Sequence, residues 1–395
     1  MNVLLISEHY YPKIGGTVSY VENTAINLAK LGVNVYLLVP SVGADNKITP
    51  SKHPQNNLTL LNLGVKSGES LLYDANERKT LCQFINNNII DITQQYQIEV
   101  VHILFGLFVA EILNTKALRL KGVKTFHTIH NIPPFECSRS WKGDKTLNYI
   151  KDEIRKIGVY FINKKRIKKN EFDIYIADCK LVKNELKKYV NPSKIHTIGL
   201  GGAEHISTIP RRLKSSTTIN ILTAGGIVPH KNQHLIPLIS NYLKQEGIDF
   251  KWNIVGPNRN QAYVNMIKNK ILDLKLTGSL FLNTSVSNEE LKTYYTEADL
   301  YIQISSEEGF CLTVLDAIAY GIPVLGTPTG AIPEMLEMIE GPIIENNINT
   351  LKPIIAHYVK ILDSIQTNPT LLNKFKQHYT WSNAAEQLMN LYHER

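Results

Sequence analysis

Apolar residues fall along the chain in short unbroken runs, separated by stretches in which they recur every three or four positions. Asn2 to Ser7 reads as a strand buried on both faces. Val18, Val21, Ala25 and Leu28 then follow at helical spacing, with Gly32 placed to stop the helix. Val33 to Val39 is a second buried strand, and further strand runs stand at Glu99 to Leu104, Val123 to Ile129 and Asp173 to Ala177. Amphipathic stretches lie between them. This alternation predicts a parallel sheet covered by helices on both faces.

The pattern breaks between Lys194 and Ser216, at Gly199-Leu200-Gly201-Gly202 and a polar Thr, Ser and Arg tract. It restarts with Ile219 to Ala224 and continues through Trp252 to Val255, Ser279 to Leu282, Leu300 to Ile304 and Pro323 to Leu325. The reading is an α/β protein of two successive doubly wound, Rossmann-like domains, 1–205 and 206–377. A closing helix at about 378–395 is expected to pack back onto the first domain. Ligands of such sheets bind outside the carboxyl ends of the strands, so the cleft between the halves is the expected active site.

Composition narrows the class. The 395 residues, 43% apolar and 20% charged, are those of a globular protein large enough for two or three cores without staples. Cys82, Cys137, Cys179 and Cys311 stand far apart with no Cys-x-x-Cys pair, which argues against a disulfide framework or a cysteine metal site. The net charge is +8, but residues 139–194 hold 16 Lys and Arg against 7 Asp and Glu, a local excess of +9. A uniformly basic nucleic-acid coat is therefore excluded, and nucleic acid is not expected as a partner. The most apolar run, Ile103 to Ala110, is eight residues long against the ~20 needed to span a bilayer. The opening MNVLLISEHYYP has no basic leader or long apolar core, so a cytoplasmic location is expected.

Four segments have the residue types for chemistry. In Pro12-Lys13-Ile14-Gly15-Gly16-Thr17, two glycines precede the first helix, whose free N–H groups favour an anion; the spacing does not fit a dinucleotide fingerprint. A tight turn is the simpler alternative. His127 and His130 leave the carboxyl end of a predicted strand on opposite faces, where either one faces a ligand or serves as a hydrogen-bonded structural residue. Gly225-Gly226-Ile227-Val228-Pro229-His230-Lys231 follows the first strand of the second half and sets Lys231 to reach a phosphate, unless it is a solvated surface lysine. In Ser306 to Ala317, an acidic, glycine-containing loop enters a helix near Leu312. The amides of Phe310 to Thr313 suit a diphosphate, and Glu308 and Asp316 suit sugar and ribose hydroxyls. The structural alternative makes Glu308 a helix cap and Asp316 a solvated residue.

The run SSEEGFCLTVLDAIAYGIPVLGTPTGAIPEM, with VSNEELKTYYTEADLYIQIS before it and GGIVPHKN upstream, resembles glycosyltransferase family 4, the retaining GT-B nucleotide-sugar transferases. ISEHYYPKIGGTVSYVENTAINLAKLGVNVYLLVP resembles that family's opening, and YTWSNAAEQLMNLYHER its closing helix. The resemblance implies that Glu308 is the first acid of a Glu, seven residues, Glu motif and binds donor-sugar hydroxyls. Asp316 stands where the second acid, usually Glu, binds the ribose. Gly309, Phe310, Cys311, Leu312 and Thr313 match the backbone around the sugar and phosphates, Lys231 the lysine at the diphosphate and His130 the cleft histidine near the sugar. Gly15, Gly16 and Thr17 match the loop on the acceptor and phosphate side. Gly226 departs from the arginine that the family commonly carries beside that lysine, and Asp316 is one methylene shorter than Glu.

The implied reaction transfers a sugar with retention from a nucleoside-diphosphate sugar, UDP favoured over GDP, to a hydroxyl of a glycan or lipid-linked acceptor. No Asp-x-Asp is present, so neither a metal nor another cofactor is expected. Glu308, Lys231 and His130 are the residues expected to act in catalysis. Alternatives are a sugar phosphorylase or epimerase of the same fold, and a degenerate subunit that binds glycan or supports an active partner. A nicotinamide dehydrogenase lacks its glycine fingerprint here. In the basic segment, Leu147, Ile150, Ile154, Ile157 and Phe161 form a helical stripe that Lys151 and Arg155 flank. Three readings stay open: a helix packed on its own sheet, attraction to an anionic membrane surface through residues 139–194, and capture of an anionic acceptor.

Overall fold

The computed structural model describes residues 1–11, 15–42, 47–65, 75–131, 147–207, 218–365 and 367–394. They form two units, one of Met1–Ile132, Val159–Gly201 and Thr380–Arg395, the other of Pro133–Gly158 and Gly202–Tyr379. The chain thus leaves the first unit at Gly201 and returns to it at Thr380.

Among its described residues the first unit has eight strands: β1 (Asn2–Ser7), β2 (Asn34–Val42), β3 (Ile48–Lys52), β4 (Leu58–Val65), β5 (Val100–Phe105), β6 (Lys124–Ile129), β7 (Ile174–Ala177) and β8 (Ile195–Thr197). Their order is β3-β4-β2-β1-β5-β6-β7-β8, and every pairing is parallel except that of β3 with β4. The central strands are the apolar runs legible in the sequence, because a strand covered on both faces has no polar side to alternate with. The hairpin of β3 and β4 is not foreseen: β3, Ile-Thr-Pro-Ser-Lys, is an exposed edge strand without an apolar run, and it holds Pro50. Residues 43–46 and 66–74 lie outside the described residues.

The Gly16–Lys30 helix buries Val18, Val21, Ala25 and Leu28, and stops where Gly32 takes φ +84° and the Val33 amide donates back to Leu28 O at 3.2 Å. The Trp381–His393 helix buries Trp381, Leu388 and Tyr392 in this same unit. The Tyr392 hydroxyl lies 2.6 Å from His102 Nδ1, whose other ring nitrogen is 2.8 Å from Thr128 Oγ1. At Gly201 an added Cβ would stand 2.1 Å from the Trp381 amide nitrogen, so the closing helix sits directly on that backbone.

The second unit holds β9 (Ile219–Ala224), β10 (Phe250–Val255), β11 (Leu280–Asn283), β12 (Leu300–Gln303) and β13 (Val324–Gly326), all parallel, in the order β11-β10-β9-β12-β13. Its core gathers Trp252, Tyr263, Ile302, Leu325 and Ile355 around this sheet. Parallel strands bring all their carboxyl-end loops to one edge. The loops after β9, β10, β12 and β13 therefore share a rim.

The basic Leu147–Lys169 helix decides against one of the three open readings. Ile154, Ile157 and Phe161, which fall on one helical face, are 66%, 60% and 61% exposed, so this stripe is not packed on the protein's own sheet. Among the described side chains of this helix Ile167 is the buried one, and Arg166 and Lys169 pair with Glu111 at 2.8 and 3.4 Å. The side chains of Leu147 and Ile150 lie outside the described residues.

Candidate functional site

The rim of the second sheet brings together residues far apart in sequence. Lys231 follows β9 in a 3-10 turn, Pro229–Lys231, and Glu308 follows β12. Lys231 Nζ lies 2.5 Å from Glu308 Oε1 and 2.6 Å from Oε2, and both side chains are largely buried. Ser305 Oγ donates to Oε1 at 2.6 Å and Gln303 Nε2 at 3.1 Å. Gln303 is itself held, its Oε1 standing 3.0 Å from the Tyr301 hydroxyl. Burial by itself would raise the Glu308 pKa, but the Lys231 charge and hydrogen bonds and the Ser305 hydroxyl outweigh it and hold the carboxyl below its ordinary range. The pair is therefore ionised.

The two loops are tied to each other and to the loop after β13. The Ser306 amide donates to His230 O at 2.8 Å, and Thr327 Oγ1 donates to Ser305 O at 2.6 Å. Gly330 takes φ +56°, and an added Cβ there would stand 2.0 Å from Gly309 O and 2.9 Å from Glu308 Cβ. No side chain fits, so Gly330 is what lets the acidic loop lie flat on its neighbour. Sequence reasoning missed Ser305, Gln303 and Gly330. A polar Gln inside the apolar strand LYIQ was the one available signal.

The Leu312–Ala319 helix starts at this loop as expected, with Cys311 as its N-cap at φ +74°. Its first-turn amides, Leu312 and Thr313 among them, have no acceptor within the helix and carry its positive dipole end. Phe310 is buried against Tyr379, with ring centroids 5.6 Å apart. Burial pushes the Cys311 thiol up to about 12, so it is no thiolate nucleophile near neutral pH. Asp316, one turn further on, is raised by burial to about 7. The phenols of Tyr295 and Tyr320, whose rings stack 5.2 Å apart, lie close enough to feel its charge. Gly226 accepts at its carbonyl from Gln233 Nε2 at 2.9 Å.

His130 and Gly15, Gly16 and Thr17 belong to the first unit. Gly15 is the N-cap of the first helix, at φ +152°, and its carbonyl receives the Val18 and Ser19 amides at 3.0 and 3.2 Å; Gly16 and Thr17 form the first turn. Pro12, Lys13 and Ile14 lie outside the described residues. His130 Nδ1 is 3.2 Å from the buried Asp178 carboxylate, and Nε2 donates to Leu104 O at 3.0 Å. Both ring nitrogens are thus engaged, and Asp178 is a partner that sequence reasoning did not name. His127 is a core residue, 5.0 Å from the Phe172 ring and held neutral by burial, with a pKa of about 3.

Among the described residues, no helix is long and apolar enough to cross a membrane. Residues 14–201 match the family model Glycosyltransferase Family 4, and residues 206–378 match the model Glycosyl transferases group 1. The chain is 20% identical to the gpi3 protein of the phosphatidylinositol N-acetylglucosaminyltransferase of Schizosaccharomyces pombe over 398 residues, covering 98% of this chain and 79% of that one. It is 21% identical to the alpha-monoglucosyldiacylglycerol synthase of Streptococcus pneumoniae, covering 82% and 70%. Among solved structures, sucrose-phosphate synthase from Thermosynechococcus elongatus aligns with a TM-score of 0.74 at 15% identity over 99% of this chain and 98% of that one. Anabaena HepE in complex with UDP and glucose aligns with a TM-score of 0.67 at 14% identity over 99% of each. The two family models between them take in nearly the whole chain, and with the shared two-sheet fold they place it among the family 4-like glycosyltransferases of the GT-B type.

Proposed function

We propose that the protein transfers a sugar, with retention at the anomeric carbon, from a UDP-sugar to a hydroxyl of a glycan or lipid-linked acceptor. The observation that carries this reading is the ionised Lys231–Glu308 pair beside the amide-lined start of the Leu312–Ala319 helix. The helix end and Lys231 stabilise charge on the leaving diphosphate, with no metal required, and Glu308 accepts hydroxyls of the sugar. The bond from the anomeric carbon to the diphosphate oxygen breaks while the acceptor oxygen bonds to the same face. The acceptor's proton passes to the released diphosphate. The preference for UDP is supported by HepE, solved with UDP and glucose, and by a trehalose-6-phosphate structure from E. coli bound with UDP-2-fluoro glucose.

The test is transfer or donor hydrolysis by the purified chain against a panel of UDP-, GDP- and ADP-sugars, with the product anomer read by NMR. Lys231→Ala and Glu308→Ala are each expected to lose most turnover at saturating donor. Unchanged turnover in both would refute the site, and an inverted product would refute retention. Failure to bind any nucleotide would favour the degenerate-subunit reading.

We also infer that the chain works at an anionic membrane surface, from the cytoplasmic face. The exposed Ile154, Ile157 and Phe161 stripe, on a helix with Lys151, Arg155, Lys164, Lys165 and Lys168, has the make-up of a helix lying in a bilayer interface. Each basic residue near such a surface contributes about 1 kcal/mol. Two relatives named for phosphatidylinositol and diacylglycerol chemistry support a lipid-borne acceptor.

A further inference from the structure

The turn after β9 has no side chain at either Gly225 or Gly226, and the loop after β10 is fastened alongside it. The Gly225 amide donates to Val255 O at 2.9 Å and the Ile227 amide to Pro257 O at 3.0 Å, while Ile227 and Asn258 form an isolated parallel bridge. An added Cβ at Gly256 would stand 2.0 Å from Gly225 O, so the two backbones meet without a side chain between them. This contact sets the next residue of the β10 loop over the turn: Arg259 Cγ is 3.5 Å from where a Gly226 Cβ would lie. Lys231 Cε and Nζ stand 3.8 and 4.0 Å from the corresponding point on Gly225. Two long cationic side chains, from adjacent parallel strands, thus flank consecutive glycines of one turn.

Charge balance says why the second cation matters. The Lys231 ammonium is matched by the Glu308 carboxylate, and His230, the other basic residue of the turn, is held neutral at pH 7 by burial, with a pKa of about 4. A diphosphate brought to this turn carries more negative charge than the remaining half-charge of one helix end offsets. We propose that Arg259 is the second diphosphate-binding cation of the donor site, reaching over the space that Gly226 leaves and supplying from the β10 loop the forked donor that residue 226 lacks. This rests on the nucleoside-diphosphate donor reading above.

The test compares each nucleoside diphosphate, UDP, GDP and ADP, with its free nucleoside on the full chain, by calorimetry and ligand-observed NMR. For the diphosphate that the wild type binds best, Arg259→Ala is expected to weaken binding about tenfold or more while leaving the nucleoside unchanged, and Gly226→Arg in the same chain is expected to restore much of the loss. Unchanged diphosphate affinity in Arg259→Ala overturns the proposal, as does an equal loss for nucleoside and diphosphate, which would mark a structural role. A wild-type chain that binds none of the three diphosphates overturns the donor reading itself.

Discussion

Lys231 and Glu308, 77 residues apart, hold each other across 2.5 and 2.6 Å at the carboxyl ends of neighbouring strands. The resemblance to family 4 assigns them to different parts of one ligand, the lysine to the diphosphate and the acid to the sugar. On the proposed reading, a donor entering here meets two groups already oriented by each other and by Ser305 and Gln303.

The pair makes a stability prediction that is separate from activity. Removing one partner leaves the other buried and uncompensated, a loss of about 3–5 kcal/mol. Lys231→Met and Glu308→Gln should each lower the urea midpoint, and the double variant should lose less than the two combined. Additive losses would show that the pair is not coupled in the folded state.

Asp316 sets a pH dependence of the opposite sense to an ordinary surface acid. Its pKa of about 7 lies above the unfolded value near 3.9, so between these pH values the folded chain holds a proton that the unfolded chain has lost. Its contribution is fully present below about pH 4 and is lost as pH rises through 7. Asp316→Asn should flatten that fall and raise the Tm by a few degrees at pH 8. Because the ionised form is the better acceptor for ribose hydroxyls, wild-type nucleotide affinity should climb between pH 6 and 8, and that climb should vanish in the variant.

Buried histidines act in the other direction. His102 and His127 are held to about 3, and His230 and His234 to about 4, in each case chiefly by burial. The unfolded chain takes up these protons first, so the stability they confer is full above about pH 6.5 and is lost as pH falls toward 4. Each histidine adds a slope of about 1.4 kcal/mol per pH unit in that window. His127→Phe, which keeps a ring against Phe172 and Tyr175, should lower the slope of the urea midpoint against pH by one proton's worth. An unchanged slope would show that His127 titrates normally.

Membrane binding is read by flotation. The full chain should float with vesicles containing anionic phospholipid and not with zwitterionic ones, and binding should weaken with salt. Replacing Ile154, Ile157 and Phe161 by Ser should abolish flotation without lowering the Tm, since these side chains lie exposed. Flotation of this triple variant at the wild-type level, or failure of the wild type to float on anionic vesicles, would remove the membrane surface as a partner.

Much of the fold was legible because its determinants are local. The central strands are unbroken apolar runs, Gly32 marks a helix end by its φ, and the acidic loop before Leu312 announces a helix N-terminus. The edge hairpin of β3 and β4 escaped because Thr49-Pro50-Ser51-Lys52 is polar and takes its strand form only from pairing with Leu58–Val65. The candidate site was legible as residue types in order, with Lys231, Glu308 and Asp316 all singled out, while Ser305, Gln303 and Gly330, which the structure sets around the Lys231–Glu308 pair, gave almost no signal.

The sequence by itself determined the parallel α/β architecture and the motif order that places the chain among these transferases, since both depend on spacing along the backbone. Only the tertiary structure decided that Lys231 answers Glu308, that Arg259 stands over Gly226, and that the stripe of Ile154, Ile157 and Phe161 faces outward. Charge compensation and burial are sums over neighbours that the chain brings together from distant positions. A helical period marks an apolar face, but what covers that face is settled only when the rest of the molecule has packed.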